Sequence, residues 1–167
     1  ALLDRLETNS TDLTGRIEQL AASLDDGDAA RGRAVFFGSN ASCHACHRVN
    51  GEGGTTGPDL SGIGQVRTRR NLLEAIAFPS ATFARGYEPY NVATVSGELL
   101  WGVLGRRTTD AIYLRTTGQQ QIRIARDQIE QLVPSTVSIM PDGLADVLSA
   151  RQLSDLISFL KSMEEIP

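Results

Sequence analysis

Apolar positions recur along this chain in two rhythms. Leu13, Ile17, Leu20 and Leu24 fall at i, i+4, i+7 and i+11, which is one face of an amphipathic helix over residues 11–24. Asp25-Asp26-Gly27-Asp28 interrupts that pattern and offers a cap for a second helix over 29–39. Gly32 and Phe36 share a face of it, one turn apart, so a further helix can approach closely there. Leu72, Leu73 and Ile76 predict a helix over 69–77, closed by Pro79. A last helix begins at a Ser149-x-x-Gln152 capping box and carries Leu153, Leu156, Ile157, Leu160 and Met163 as its core stripe.

Between residues 88 and 126 the rhythm changes to alternation. Val92, Thr94 and Val95, then Leu99, Trp101 and Val103, then Ile112, Leu114 and Thr116, then Ile122 and Ile124 have strand periodicity. Ser96-Gly97, Thr108-Thr109-Asp110 and Thr117-Gly118 separate them as turns. Four short antiparallel strands predict a small sheet or an SH3-like barrel. Ile129, Leu132 and Val133 read as a closing turn, and Trp101 as a core residue. The expected fold class is therefore mainly α with a β insertion (α+β). Its expected parts are an acidic helix and linker over 1–27, a domain over 28–163 with 88–133 inserted, and a tail over 164–167. The first helix can be a core helix, a docking arm or the tail of an upstream domain, and the last reading is preferred.

Composition narrows the function classes. The net charge of −4 argues against a nucleic-acid binder. Residues 1–28 hold two Arg against seven Asp and Glu, so the acidity is concentrated at the start. Aromatic residues make up only 5% of the chain, and a bound apolar cofactor would supply some of the missing bulk. No run approaches the length of a transmembrane helix. Ala1-Leu2-Leu3-Asp4 lacks the basic and long apolar regions of a signal peptide, so either the signal has been removed or the chain is a segment of a longer protein.

All the cysteine and histidine lies in Cys43-His44-Ala45-Cys46-His47. C-x-x-C-H is the attachment pattern of c-type haem: two thiols add to the vinyl groups and the adjacent imidazole binds iron. A helical turn brings i, i+3 and i+4 to one side, so Cys43, Cys46 and His47 can meet one cofactor while His44 faces away. A zinc site or a redox dithiol is the alternative. Zinc needs four ligands and no second Cys/His pair exists. The dithiol normally accompanies a βαβ pattern, whereas the preceding residues read as helix. Covalent haem attachment in bacteria takes place outside the cytoplasmic membrane, which points to the periplasm.

Further chemistry is sparse. Gly51-Glu52-Gly53-Gly54-Thr55-Thr56-Gly57-Pro58 has neither the order of a dinucleotide loop nor the Lys of a P-loop. It suits close backbone approach beside a flat cofactor. The Arg67/Arg69/Arg70 cluster reads as a solvated face, with a propionate or acidic-partner contact as the sharper alternative. The strand region offers no catalytic constellation. Met140, before a proline in a loop, is a candidate second axial ligand. Its rival Met163 already has a reason to exist on the helix stripe, so Met140 is preferred.

Taken in order, Gly32-x-x-x-Phe36, Cys43-x-x-Cys46-His47, Gly57-Pro58-x-Leu60, Met140-Pro141 and Asp155-Leu156-x-x-Phe159-Leu160 resemble the class I cytochrome c fold. Ser96-Gly97-Glu98-Leu99-Leu100-Trp101-Gly102 and Ser138-Ile139-Met140-Pro141-Asp142-Gly143-Leu144 make residues 28–163 similar to the Pirellula/Verrucomicrobium-type haem-binding domain. That domain is often found at the end of large dehydrogenase-like proteins. The resemblance implies a class I helical fold interrupted by the β segment, whose role ordinary class I domains cannot supply. It also implies one covalent haem c, with Cys43 and Cys46 as thioether links and His47 and Met140 as iron ligands. Pro58 would accept the hydrogen bond of the His47 ring, and helices would cross near Gly32, Phe36 and Phe159.

The expected function is thus electron transfer rather than catalysis, by a single-haem domain passing one electron from a fused or associated periplasmic dehydrogenase to a cytochrome or oxidase. Membrane association would come through a larger parent protein. The alternatives are a gas-binding, sensing or peroxide-reducing haem protein with a labile sixth ligand, and a partner-binding module built on the β insertion. The absence of a distal His weighs against the peroxide reading.

Overall fold

The computed structural model describes residues 2–117 and 121–164. The chain divides into two compact units, each assembled from segments that are not consecutive: Ala1–Ala41, Gly62–Ala77 and Gly143–Pro167 in one, Ser42–Ser61 and Phe78–Asp142 in the other. The expected turn at Thr117-Gly118 lies partly outside the described residues.

The first unit is helical. It contains α1 (Leu2–Ala22), α2 (Ala29–Phe37), α3 (Ile63–Val66), α4 (Arg69–Ala77), α5 (Leu144–Val147) and α6 (Ala150–Lys161). Its centre is the crossing of α2 with α6 near Gly32, Phe36 and Phe159, as the resemblance implies. A Cβ on Gly32 would run into the Asp155 carbonyl and stand 2.7 Å from the Phe159 Cβ, so only glycine admits this approach. The rings of Phe36 and Phe159 then meet at 5.6 Å. The Ser149–Gln152 capping box is present at the start of α6. Asp28 caps α2, its side chain accepting from the Arg31 amide at 2.8 Å. Buried Asp155 on α6 accepts from the Asp28 amide at 2.7 Å and from Arg31 Nε at 2.8 Å.

Helix α1 begins nearer the chain start than the apolar pattern alone indicates. It packs on α4, buries Ile17, and Arg70 bonds Glu18 at 2.9 Å. Arg69 reaches the Ser158 hydroxyl at 3.1 Å. Two members of the arginine cluster therefore serve contacts within their own unit. Met163 is not part of α6: it lies two residues past the helix end, half-buried, with its carbonyl accepting from the Gly64 amide at 3.0 Å. The helix ends earlier than its apolar stripe predicts.

The second unit holds a two-residue ladder, β1 (Arg48–Val49) with β2 (Glu52–Gly53), and an antiparallel sheet of β3 (Pro89–Thr94), β4 (Leu99–Arg107), β5 (Ala111–Arg115), β6 (Gln121–Ala125) and β7 (Ile129–Pro134). The sheet order is β6-β5-β4-β3-β7. Val92, Leu104, Ile112, Leu114 and Ile124 form its buried core. The expected closing turn at Ile129–Val133 is instead a fifth strand, with Val92 opposite Leu132 and Asn91 opposite Val133.

The sheet is open, so the SH3-like barrel alternative does not hold. It is nonetheless curled. Only the turn Arg126–Gln128 separates β6 from β7, a link of at most roughly 14 Å. Five flat strands would hold their edges about 19 Å apart. Trp101 is 36% exposed rather than a core residue, and Leu99 is 83% exposed. They share one face of the sheet, opposite Asn91 and Ala93, because alternation sends β4 residues 99 and 101 away from the core.

Candidate functional site

Cys43–Ala45 forms one turn of 3₁₀ helix, entered through Ser42 in the left-handed region at φ 47°. The Cys43 carbonyl accepts from the Cys46 amide at 3.2 Å and from the His47 amide at 2.9 Å. This local winding, rather than a longer helix, draws the backbone of Cys46 and His47 back onto Cys43. Among the described residues both cysteines are free thiols. Burial pushes the Cys43 thiol up to about 11 and raises Cys46 as well. Thiols kept neutral in this way are poor free nucleophiles, and a thioether in the same place would carry no charge to desolvate.

The glycine-rich loop folds back over this turn. Gly54 donates to the His44 carbonyl and Gly57 to the Cys46 carbonyl, both at 2.8 Å. A Cβ on Gly54 would strike the Ala45 carbonyl, and one on Gly53 the His47 carbonyl. At Gly57 it would stand 2.6 Å from His47 Cε1 and 2.8 Å from Nδ1. The loop is thus moulded to the peptide of the C-x-x-C-H turn and to the imidazole itself. A match to a flat cofactor, which the glycine content also predicts, is not needed to explain it. The loop's glycines were legible as close-approach positions, but what they approach was not.

His47 Nδ1 lies 2.9 Å from the Pro58 carbonyl oxygen. A carbonyl can only accept, so Nδ1 carries the proton. Burial holds the ring below its ordinary value, partly offset by this bond, and so favours the neutral imidazole. Neutral and protonated at Nδ1, the ring presents a bare lone pair at Nε2, which is the ligand form for a metal.

Met140 belongs to the same unit, in a half-buried loop after the sheet. Its amide donates to the Ser138 hydroxyl at 3.1 Å, and the Ser138 amide donates to the Ser80 hydroxyl at 3.1 Å. Cys43, Cys46, His47 and Pro58 lie on one turn and the loop bonded to it, while Met140 shares their unit with its backbone bonded through the two serines. Ser138 opens the motif that contains Met140, but its hydrogen bonds carried no sequence signal, and Ser80 stood in no pattern at all.

The donor set fits one group in particular. Two free thiols and an oriented neutral imidazole suit covalent haem. A bare zinc ion would need four protein ligands, and among the described residues no three His, Cys, Asp or Glu side chains gather to hold a metal.

Comparison with known families agrees. Residues 29–95 match the cytochrome c family model. The match runs from α2 through the C-x-x-C-H turn and Pro58 into the sheet. No curated protein matches the chain. The stretch 29–95 is a cytochrome c domain, and its single C-x-x-C-H motif carries one covalent haem c. Such domains are typically electron carriers rather than enzymes, and they work with redox partners.

Proposed function

We propose that the chain passes single electrons through a six-coordinate haem c, with Cys43 and Cys46 as thioether links and His47 and Met140 as the two iron ligands. The bound haem supplies one-electron chemistry between Fe(II) and Fe(III). The observation that carries the reading is the 2.9 Å contact between His47 Nδ1 and the Pro58 carbonyl. It fixes the tautomer, directs Nε2 outward as a donor and raises the basicity of the ring.

The remaining residues act on that pair. Glycine at 57 leaves the imidazole the space that a Cβ would occupy. The relay from Ser80 through Ser138 restrains the backbone that presents Met140. A haem held by the Met140 thioether and the His47 imidazole would have a higher potential than one held by two nitrogen ligands, which would suit an acceptor of electrons from a dehydrogenase and a donor to a cytochrome or oxidase.

The Ser138-Ile139-Met140-Pro141-Asp142-Gly143-Leu144 motif following a strand-rich segment supports the Pirellula/Verrucomicrobium-type haem-binding domain. On that reading the donor is a dehydrogenase fused to the chain or associated with it, and the compartment is the periplasm. Among the described residues no helix is long and apolar enough to cross a membrane, so membrane association would be supplied by a partner or parent.

Carbon monoxide mixing tests the reading. Reduced holoprotein with both axial positions filled should bind the gas slowly, limited by release of the Met140 sulfur. Rapid binding by the wild type would show a labile or open sixth site and favour gas sensing or peroxide reduction instead.

A further inference from the structure

The sheet has no counterpart in the helical part of the fold, yet it reaches the histidine loop through one side chain. Arg115 ends β5, on the opposite face from fully buried Leu114. Its Nη1 donates to the Thr55 carbonyl at 3.0 Å, and its guanidinium carbon lies 4.8 Å over the Tyr87 ring. The Nε of the same group is buried with no partner among the described residues. Leaving that donor unpaired is unfavourable, so the charge-assisted bond and the stacking must outweigh it.

What Arg115 grips is the start of a short rigid path. Thr55 is followed by Thr56, only 3% exposed, then by Gly57 against the imidazole and Pro58, whose carbonyl accepts the hydrogen bond from His47 Nδ1. At its other end the segment is tied by the Gly57 amide to the Cys46 carbonyl. Pro58 fixes its own φ, so the rotations left to the carbonyl's approach lie largely between Thr55 and Gly57.

We propose that Arg115 is a positioning residue for the iron ligand: by holding the Thr55 carbonyl it fixes the segment that orients His47. The inference rests on the reading of His47 as ligand, and it gives the sheet a task inside the haem site. The extended guanidinium lies over the Tyr87 ring while its Nη1 donates to Thr55, two contacts that a point-charge ammonium combines less well.

Proton exchange in the reduced, diamagnetic holoprotein tests this, once haem content has been checked. Arg115→Met keeps the stem and removes the donor. It should speed exchange of the His47 Nδ1 proton and the Gly57 amide about tenfold, the equivalent of one charge-assisted bond. Amides of β3 and β4 should keep their rates. Arg115→Lys should restore part of the protection at both positions. Unchanged exchange at both positions in Arg115→Met, or an equal rise across the whole sheet, overturns the positioning role. Where Arg115→Met does not fold, Tyr87→Leu decides by the same two protons: faster exchange supports the role, and unchanged exchange overturns it. A rapidly exchanging Nδ1 proton in the wild type would instead overturn the assignment of His47.

Discussion

Gly57 sets the tolerance of the site at the scale of single residues. Its missing side chain would sit 2.6 Å from His47 Cε1, closer than any real Cβ contact, so Gly57→Ala must displace either the ring or the loop. Forcing a methyl group into packing of this kind costs about 1–3 kcal/mol, and urea unfolding of the holoprotein should show a loss of that size. An unchanged midpoint would mean that the imidazole is free to move and that the loop does not orient it. Residue chemistry was the most legible part of the chain, because two thiols and an imidazole at i, i+3 and i+4 have few uses in common. Arg115 was not legible. Its partner, Thr55, is sixty residues away, and neither residue type carries a spacing that would announce the bond.

The helical elements follow from capping and apolar spacing, and one buried carboxylate adds polar bonds to the α2–α6 crossing. Asp155 on α6 gathers Arg31 and the Asp28 amide at the start of α2. The Arg31 guanidinium, bonded to it, holds the carboxyl below the usual carboxylate range. A value depressed in the folded state adds stability that is fully present above the unfolded value of about 3.9. That stability is lost as pH falls through the lower folded value. Acid titration of the wild type should therefore show a loss of stability that begins near pH 4 and deepens below it. Asp155→Asn, with no proton to gain there, should be less stable at neutral pH and flatter through the acid range. Parallel acid limbs for the two proteins would contradict the linkage.

Strand periodicity located four of the five long strands and missed β7. Ile129, Leu132 and Val133 do not alternate, and the register shift on β3 between Ala93 and Thr94 shows why: a bulge at the β3–β7 pairing breaks the two-residue period. That the sheet stays open rather than closing into a barrel was not legible either, since closure depends on tilt and stagger that no local pattern encodes.

Chain connectivity hides the architecture of the whole molecule from a linear reading. Both compact units are built from interleaved segments, so the residues proposed to hold iron are far apart in sequence and share a unit only after folding. Haem attachment and fold class could be read in advance. The sheet's bond to the histidine loop could not, because it is made by tertiary contact alone.

Electron transfer by a closed iron centre requires a second protein ligand, proposed to be Met140. The most direct measurement is the absorption of the oxidised holoprotein in the methionine-to-iron charge-transfer region. The wild type and Met163→Ala should both show the band, and Met140→Ala should lose it while keeping its covalent haem. A band that persists in Met140→Ala, or that disappears in Met163→Ala, would contradict the account.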